Sequence, residues 1–175
     1  MPRPRKPDPA RTDADAAPDA TAHRAPRSAL QQGVALLARR EYAQRELRQR
    51  LLARGHDAAE TTAALAALAV RQYQSDTRYA QSLARTRAAQ GYGPRRIRSE
   101  LSAQGVSRDE IERAIEALNH DWQASADAQL RRHGAGRADA TARARAAQWL
   151  LRRGFDAATV RCATRTALDD AAEED

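Results

Sequence analysis

An internal repeat constrains this chain more than any other feature of its sequence. Residues 95–118 align with residues 45–68 without a gap at a spacing of 50, and nine of the 24 aligned positions are identical. A chain this rich in Ala and Arg would give roughly two or three identities by chance. A weaker third copy follows, in which segment 149–156 resembles segment 50–57. The sequence therefore predicts a tandem array of similar units.

Each copy carries the pattern of two helices joined by a tight turn. Apolar residues recur at helical spacing before the turn, as at Leu47 and Leu51, and after it, as at Leu65 and Leu68. A glycine ends the first helix, because glycine enters the left-handed region of backbone space at little cost. Two residues later an Asp or Ser is placed to cap the second helix. The predicted turn glycines are Gly55, Gly105 and Gly154, and the predicted caps are Asp57, Ser107 and Asp156.

One further helix precedes each pair. Before the second pair, Tyr79 and Leu83 have helical spacing, and the pattern breaks at Gly91 and Gly93. Pro94 suits the first position of the next helix, since the N–H that it lacks would have no intrahelical partner. Two-residue alternation is absent, so no strand is predicted. The expected fold is all-α, with three tandem three-helix repeats that stack on their neighbours as an extended rod.

The amino-acid composition indicates where the folded part of the chain begins and ends. The first 28 residues hold six of the seven prolines and no Leu, Ile, Val, Phe, Tyr or Trp. Such a segment buries too little apolar area to offset the entropy lost on ordering. The predicted organisation is a disordered tail at 1–28, repeat 1 at 29–75, repeat 2 at 76–120, repeat 3 at 121–168 and an acidic, frayed C-terminus at 169–175.

The side-chain inventory gives no support to an enzymatic or metal-binding function. His23, His56, His120 and His133 are scattered, without the i, i+3 or i, i+4 spacing that places two ligands on one helical face. Cys162 is the single cysteine, which excludes an intrachain disulfide framework. We expect no catalytic residues, no cofactor and no metal. Neither a signal-peptide pattern nor a run of 18 apolar residues is present, so the expected location is cytoplasmic, without a membrane partner.

The net charge of +7 is distributed in bands. Residues 71–98 and 131–153 each carry seven Arg against one Asp, whereas residues 99–130 carry two Arg against seven carboxylates. Basic bands of this kind suit either nucleic-acid phosphates or acidic patches on a protein filament. The candidate contact residues are Arg85, Arg87, Tyr92, Arg95, Arg96, Arg98, Arg131, Arg132, Arg143 and Arg145.

Each of these candidates also has a structural interpretation. The chain contains 29 arginines and one lysine, so compositional bias accounts for much of the charge, and most single arginines are expected to be structural or solvated. The group from Arg85 to Arg98 favours partner contact more than the others, because it brackets a Gly-Tyr-Gly turn without compensating acids. Tyr92 suits stacking on a base, insertion into a partner pocket or a place in the core.

Three sequence fragments, each weak alone, occur in an order and spacing that is specific. They are Leu36-Leu37-Ala38-Arg39-Arg40-Glu41-Tyr42 followed by Glu46-Leu47, Leu51 and Gly55; then Asp76, Arg78, Tyr79 and Ala80; then Gly91, Gly93, Ile97, Glu100, Leu101, Gly105 and Val106. Together they resemble the RecX family, small bacterial regulators of the RecA recombinase built of tandem three-helix repeats. The resemblance covers residues 28–120 well and the last third loosely. It departs at Ala43, where the family usually has a Ser or Thr cap, whose loss costs about 1 kcal/mol.

The resemblance implies a non-enzymatic regulator that binds RecA and its filament on DNA. It further implies inhibition of the recombinase, ATPase and coprotease activities, and a role in DNA recombination, repair and the SOS response. The alternative is a helical repeat protein that binds single-stranded nucleic acid directly and competes with the recombinase for DNA. The expected partners are RecA and the RecA–DNA filament, with weak direct binding to DNA left open. The chain is expected to be a monomer or a homodimer.

Overall fold

The computed structural model describes residues 27–133 and 140–173. The predicted tail up to residue 26 and the glycine segment 134–136 lie outside the described residues. Within the described ranges the chain forms nine helices and no strand, which confirms the predicted all-α fold class. The helices are α1 (Ala29–Leu37), α2 (Gln44–Leu52), α3 (Ala58–Val70), α4 (Asp76–Ala89), α5 (Pro94–Ala103), α6 (Arg108–Glu116), α7 (Trp122–His133), α8 (Ala140–Arg152) and α9 (Ala157–Glu173).

Polar side chains fix the points at which several helices begin. Ser28 and Ser107 each form a reciprocal capping box with the third residue of the helix that follows. Asp57 accepts a backbone N–H at 2.7 Å and Asp156 accepts one at 2.8 Å. These N–H groups have no intrahelical acceptor, and each such cap stabilises a helix by about 1 kcal/mol.

Each set of three consecutive helices encloses its own apolar core. Leu47 and Leu51 are fully buried in the first core, Ile97 and Leu101 in the second, and Phe155 in the third. Burying a side chain of this size stabilises the fold by about 2 kcal/mol. Within each set, the first helix packs most extensively on the third. We call the sets unit 1 (α1–α3), unit 2 (α4–α6) and unit 3 (α7–α9).

The turn between the second and third helices of each unit depends on a left-handed glycine. The φ angle is 89° at Gly55, 82° at Gly105 and 89° at Gly154. Any other L-residue would be strained there by about 1 kcal/mol or more. The repeated glycine therefore has the same backbone role in all three units.

The same turn forms the joint between neighbouring units. A Cβ added at Gly105 would lie 3.3 Å from Arg45 Cδ, and one at Gly154 would lie 2.5 Å from Arg96 N. Arg45 and Arg96 belong to the first turn of the second helix in the preceding unit. Gly55, in unit 1, has nothing among the described residues within 4 Å at the corresponding point. The turn of each later unit thus packs on the start of the second helix in the unit before it.

The joint between units 1 and 2 replaces the cap that Ala43 lacks. Ala43 is fully buried, belongs to the core of unit 2 and makes no side-chain cap bond. Instead Asp76, at the start of α4, accepts the N–H of Gln44 at 2.8 Å and the side-chain amide of Gln74 at 2.8 Å. The small side chain of Ala43 lets unit 2 pack closely against the start of α2, and Asp76 of unit 2 supplies the hydrogen-bond acceptor that a Ser or Thr cap would otherwise provide.

The last helix is longer than the sequence pattern predicts. It continues to Glu173, whereas the pattern predicts an end near Leu168 and a frayed segment from 169. No Gly or Pro follows Leu168, and Ala171 and Ala172 are strong helix formers. The acidic residues therefore continue the helix to residue 173.

Two glycine-to-alanine substitutions distinguish the stability lost through backbone strain in a turn from the stability lost through a steric overlap between two units. Gly55→Ala should lower the free energy of unfolding by about 1 kcal/mol, through the positive φ alone. Gly154→Ala should lower it clearly more, because its Cβ would also overlap the backbone of Arg96. Urea unfolding of both variants measures the difference. Equal losses would contradict a close joint at Gly154.

Candidate partner-binding surface

The α4–α5 turn, which carries the candidate Tyr92, is part of the joint between units 2 and 3. The N–H of Gly93 donates to Arg153 O and the N–H of Arg95 donates to Gly154 O, both at 2.9 Å. The donors lie at the N-terminus of α5, where the helix offers them no acceptor. The acceptors lie at the α8–α9 turn. The backbone N–H groups at the start of α5 and the carbonyl groups at the end of α8 therefore satisfy each other's hydrogen-bonding capacity across the two units.

Close packing at this joint requires the small residue at Gly93. Its φ of −80° is open to any residue, so backbone strain is not the reason for glycine here. A Cβ at this position would overlap the backbone of Gly154 and Phe155. Pro94, which follows, is buried at the first position of α5. Gly91, with a φ of 75°, ends the preceding helix in the left-handed region.

Tyr92 is half-buried and engaged by arginines of its own chain. The guanidinium carbon of Arg96 lies 5.0 Å from the centre of the ring, and that of Arg153 lies 4.8 Å from it. Arg153 is also 4.8 Å from the ring of Trp149. Contacts of this type stabilise by about 0.5–1 kcal/mol each at accessible sites. The ring therefore contributes to the joint.

Arg153 is the residue at this site that sequence reasoning missed. Its Nε donates to Gly91 O at 3.1 Å and its Nη2 donates to Gln90 O at 2.9 Å. These carbonyls end α4 and have no intrahelical donor. The one sequence signal is weak: Arg153 precedes its turn glycine as Arg54 does in unit 1. Nothing in the sequence shows that this turn will meet the end of α4.

Three candidate arginines are ion-paired, which corrects the expectation of a group without compensating acids. Glu100 accepts from Arg87 Nε at 2.6 Å and from Arg96 Nε at 2.9 Å. Glu112 accepts from Arg98 Nη2 at 2.8 Å and from Arg98 Nε at 2.9 Å. Both acids belong to the acidic sequence band. Arg96 lies one helical turn from Glu100 within α5, whereas packing between helices brings Arg87 to Glu100 and Arg98 to Glu112.

These ion pairs lower the pKa values of the two acids, Glu100 and Glu112. Burial alone would raise the pKa of Glu100, but the hydrogen bonds from Arg87 and Arg96 outweigh it, so the pKa lies below its usual value. The hydrogen bond from Arg98 lowers the pKa of Glu112, and the same bond raises the pKa of Arg98. The paired arginines are thus held in place by the fold.

Six candidates remain exposed and form no ion pair with any residue that the structure describes. The two in unit 2 flank the Tyr92 turn, and the four in unit 3 border the α7–α8 connection. They are Arg85 in α4, Arg95 in α5, Arg131 and Arg132 in α7, and Arg143 and Arg145 in α8. Long, charged and solvated side chains of this kind are available for an anionic partner.

Two of the histidines, His56 and His120, have structural partners. His56 Nδ1 lies 2.9 Å from Glu60 Oε2, while Glu60 Oε1 accepts the N–H of Ala29 at 2.7 Å at the start of α1. His120 Nε2 lies 2.6 Å from Ser125 Oγ. Across the described residues, no three His, Cys, Asp or Glu side chains are grouped to hold a metal ion. No helix in the described ranges has the length and apolar character of a bilayer span.

Comparison with known proteins confirms the resemblance seen in the sequence. Residues 75–115 match the family model of the second three-helix domain of RecX. The regulatory protein RecX of Stenotrophomonas maltophilia is 43% identical over 143 residues, which cover 81% of this chain and 88% of the relative. The RecX protein of Xanthomonas oryzae pv. oryzae is 41% identical, with the same coverage.

Solved structures share the fold. The crystal structure of RecX from Lactobacillus salivarius superposes with a TM-score of 0.68 at 18% identity, covering 79% of this chain and 94% of that one. A second crystal structure, of a regulatory protein RecX, gives a TM-score of 0.66 at 19% identity, with 76% and 68% covered. At this identity the likeness shows the fold alone.

Replacing Glu100 by Gln tests the ion pairs through their pH dependence. Because the folded-state pKa of Glu100 is lowered, its carboxylate stabilises the fold above the unfolded pKa of about 4.3. That stabilisation is lost as the pH falls through the lower folded-state pKa. Glu100→Gln should therefore be less stable than the parent near pH 7, and the difference should shrink below about pH 4.

Urea unfolding at a series of pH values measures this difference. Glu116→Gln is the matched control, since Glu116 is exposed and forms no ion pair within the described part of the chain. A difference for Glu100→Gln that is independent of pH, or equal to that of the control, would contradict the assigned pairs.

Proposed function

Because the chain belongs to the RecX family of regulatory proteins, we propose that it binds the RecA recombinase and its filament on DNA. The proposed effect is to restrain the recombinase, ATPase and coprotease activities of the filament, with no catalysis by the chain itself, in the cytoplasm. The observation that carries this proposal is the identity of 43% over 143 residues, which extends over 88% of the relative. The similarity therefore covers most of a regulatory protein and is not confined to one repeat.

The joints support a mechanism in which the units act as one array. Backbone bonds at Gly93 and Arg95 attach unit 3 to unit 2, and Asp76 attaches unit 2 to unit 1. A linear array of this kind matches a partner that itself repeats, such as the neighbouring protomers of a filament. We propose that the chain lies along the groove of the filament, where it blocks access of DNA or favours disassembly.

The charges divide the candidate residues between two proposed roles. Arg87, Arg96 and Arg98 are ion-paired within unit 2, so we assign them to positioning the joint. Arg85 and Arg95 are exposed and form no ion pair with the described residues, so we assign them to contact with the partner. The same role is assigned to the four candidate arginines of unit 3, which are Arg131, Arg132, Arg143 and Arg145. Exposed arginines of this kind steer association and suit acidic patches or phosphates.

The competing function is direct competition for single-stranded DNA, which the exposed arginines also favour. The test is the single-stranded-DNA-dependent ATPase of preformed RecA filaments, with DNA in excess and this protein well below the RecA concentration. Inhibition there supports action on the filament. Inhibition that appears only when the DNA is coated, and that excess DNA reverses, would replace the proposal with DNA competition.

The same assay tests the proposed contact residues. The double variant Arg85→Ala/Arg95→Ala should need about tenfold more protein for half-inhibition, which corresponds to about 1.4 kcal/mol of lost binding. Its free energy of unfolding should change by less than about 0.5 kcal/mol, because both side chains are solvated.

Arg71→Ala/Arg161→Ala is the matched control, since both side chains are exposed, unpaired in the described part of the chain and outside the candidate set. The control should inhibit as the parent does. Unchanged inhibition by the Arg85/Arg95 variant, or an equal loss in the control, would refute the assignment.

A further inference from the structure

A groove along one face of α1 brings three arginines together in unit 1. Its volume is about 270 Å³, several times the ~30 Å³ that one water molecule occupies in the liquid. Leu36 and Ala35 contribute its apolar part, and the charges surround them. The lining residues are Arg27, Gln32, Ala35, Leu36, Arg39 and Arg54. We call this feature the α1 groove.

The lining residues come to the α1 groove for a simple geometric reason. Gln32, Leu36 and Arg39 recur at i, i+4 and i+7 along the chain, a spacing that puts them on one face of α1 and its C-terminal turn. Arg27 precedes the helix, and Arg54 comes from the α2–α3 turn. The charges therefore reach the groove from three different points of unit 1.

No acid balances these three charges within the described residues. Arg27, Arg39 and Arg54 are exposed, and none of them forms an ion pair with a described carboxylate. The neighbouring Arg40, in contrast, pairs with Glu46 at 2.7 Å. Three like charges beside apolar surface repel one another, and an anion between them would relieve that repulsion.

Gln32 provides a further polar group at the α1 groove. Its Oε1 is buried and has no hydrogen-bond partner among the residues that the structure describes. A buried amide group without a partner costs about 1–3 kcal/mol. Rotation of the amide by 180° exchanges the oxygen for the NH₂ group, which donates to an anion. A ligand with acceptor oxygens would thus satisfy the amide and the three guanidinium groups together.

The repeat shows that the fold does not require these arginines. The N-caps of α1 and α4, Ser28 and Ser75, lie 47 residues apart. In that register Arg27 and Arg39 correspond to Gln74 and Thr86, and at the spacing of 50 that holds from the second helix onward Arg54 corresponds to Gln104. Unit 2 forms the same three-helix arrangement with those uncharged residues. A structural role common to the repeats therefore does not account for the charge of the α1 groove.

We propose that the α1 groove is a binding site for a phosphate group. Guanidinium groups present paired N–H donors that match the oxygens of a tetrahedral oxyanion, and three of them more than offset the one or two negative charges that a phosphate group carries. The phosphate comes either from a free phosphate compound or from the backbone of a single-stranded nucleic acid. This site shares no residue with the contact surface proposed above and does not depend on that function.

The repeat also supplies the test variant. The groove variant Arg27→Gln/Arg39→Thr/Arg54→Gln takes the residues that unit 2 has at these positions, so unit 1 is expected to fold. Gln32→Glu is a second variant, nearly isosteric, which places a negative charge in the groove. The control variant Arg71→Gln/Arg152→Gln/Arg161→Gln removes the same charge from exposed, scattered positions.

Two probes are titrated into the full-length chain. Sodium pyrophosphate is followed by NMR of the arginine Nε–H groups, and a fluorescent single-stranded oligothymidine is followed by anisotropy. Pyrophosphate should shift the signals of Arg27, Arg39 and Arg54 in a saturable manner. Both the groove variant and Gln32→Glu should bind pyrophosphate at least tenfold more weakly, whereas the control should stay within threefold.

The oligonucleotide separates the two sources of phosphate. A matching tenfold loss of oligonucleotide affinity in the groove variant, but not in the control, assigns the site to a nucleic-acid backbone. Unchanged oligonucleotide affinity beside a loss of pyrophosphate binding assigns it to a free phosphate compound. The absence of saturable shifts in the parent chain, or equal losses in the groove variant and the control, would overturn the proposal.

Discussion

The two backbone hydrogen bonds between the start of α5 and the α8–α9 turn are the constraint on which the arrangement of units 2 and 3 depends. They join Gly93 N to Arg153 O and Arg95 N to Gly154 O, so the unpaired donors of one helix end meet unpaired acceptors of another. This pairing needs a backbone approach that only glycine allows at Gly93. Arg153 then satisfies the last carbonyls of α4. Paired helix ends therefore contribute directly to the joint between units 2 and 3, beside Trp122, which packs against both cores.

This constraint decides which charges are available to a partner. Arg96 and Arg153 lie against Tyr92, and Glu100 binds Arg96 and Arg87, so these side chains belong to the joint and its support. The arginines that form no such contact in the described ranges are distributed over separate units. The fold therefore separates the arginines that support the joint from those that are exposed to solvent. An array of this kind suits a partner that repeats along an axis.

Local signals in the sequence are sufficient to predict the helices but not the contacts that join the units. Gly105 and Ser107 reveal a turn and a cap, because glycine at positive φ and an N-cap serine act on their own neighbours. The bond from Arg153 to Gly91 spans 62 residues, and the one from Gln44 to Asp76 spans 32. No local pattern encodes such distances. The charge bands misled partly for the same reason, because the pairs Arg87–Glu100 and Arg98–Glu112 join different helices. The pair Arg96–Glu100, in contrast, has the i, i+4 spacing that sequence alone indicates.

These joints hold units 2 and 3 in one relative orientation, and a distance between two spin labels measures that orientation. Spin labels on Glu116→Cys in α6 and Gln148→Cys in α8, both exposed, report on the joint when Cys162 is replaced by Ser. Double electron–electron resonance should give a single narrow distance distribution, which Arg153→Ala should broaden. A broad or multiple distribution with Arg153 intact would contradict a fixed joint, and with it the view that the units act as one array.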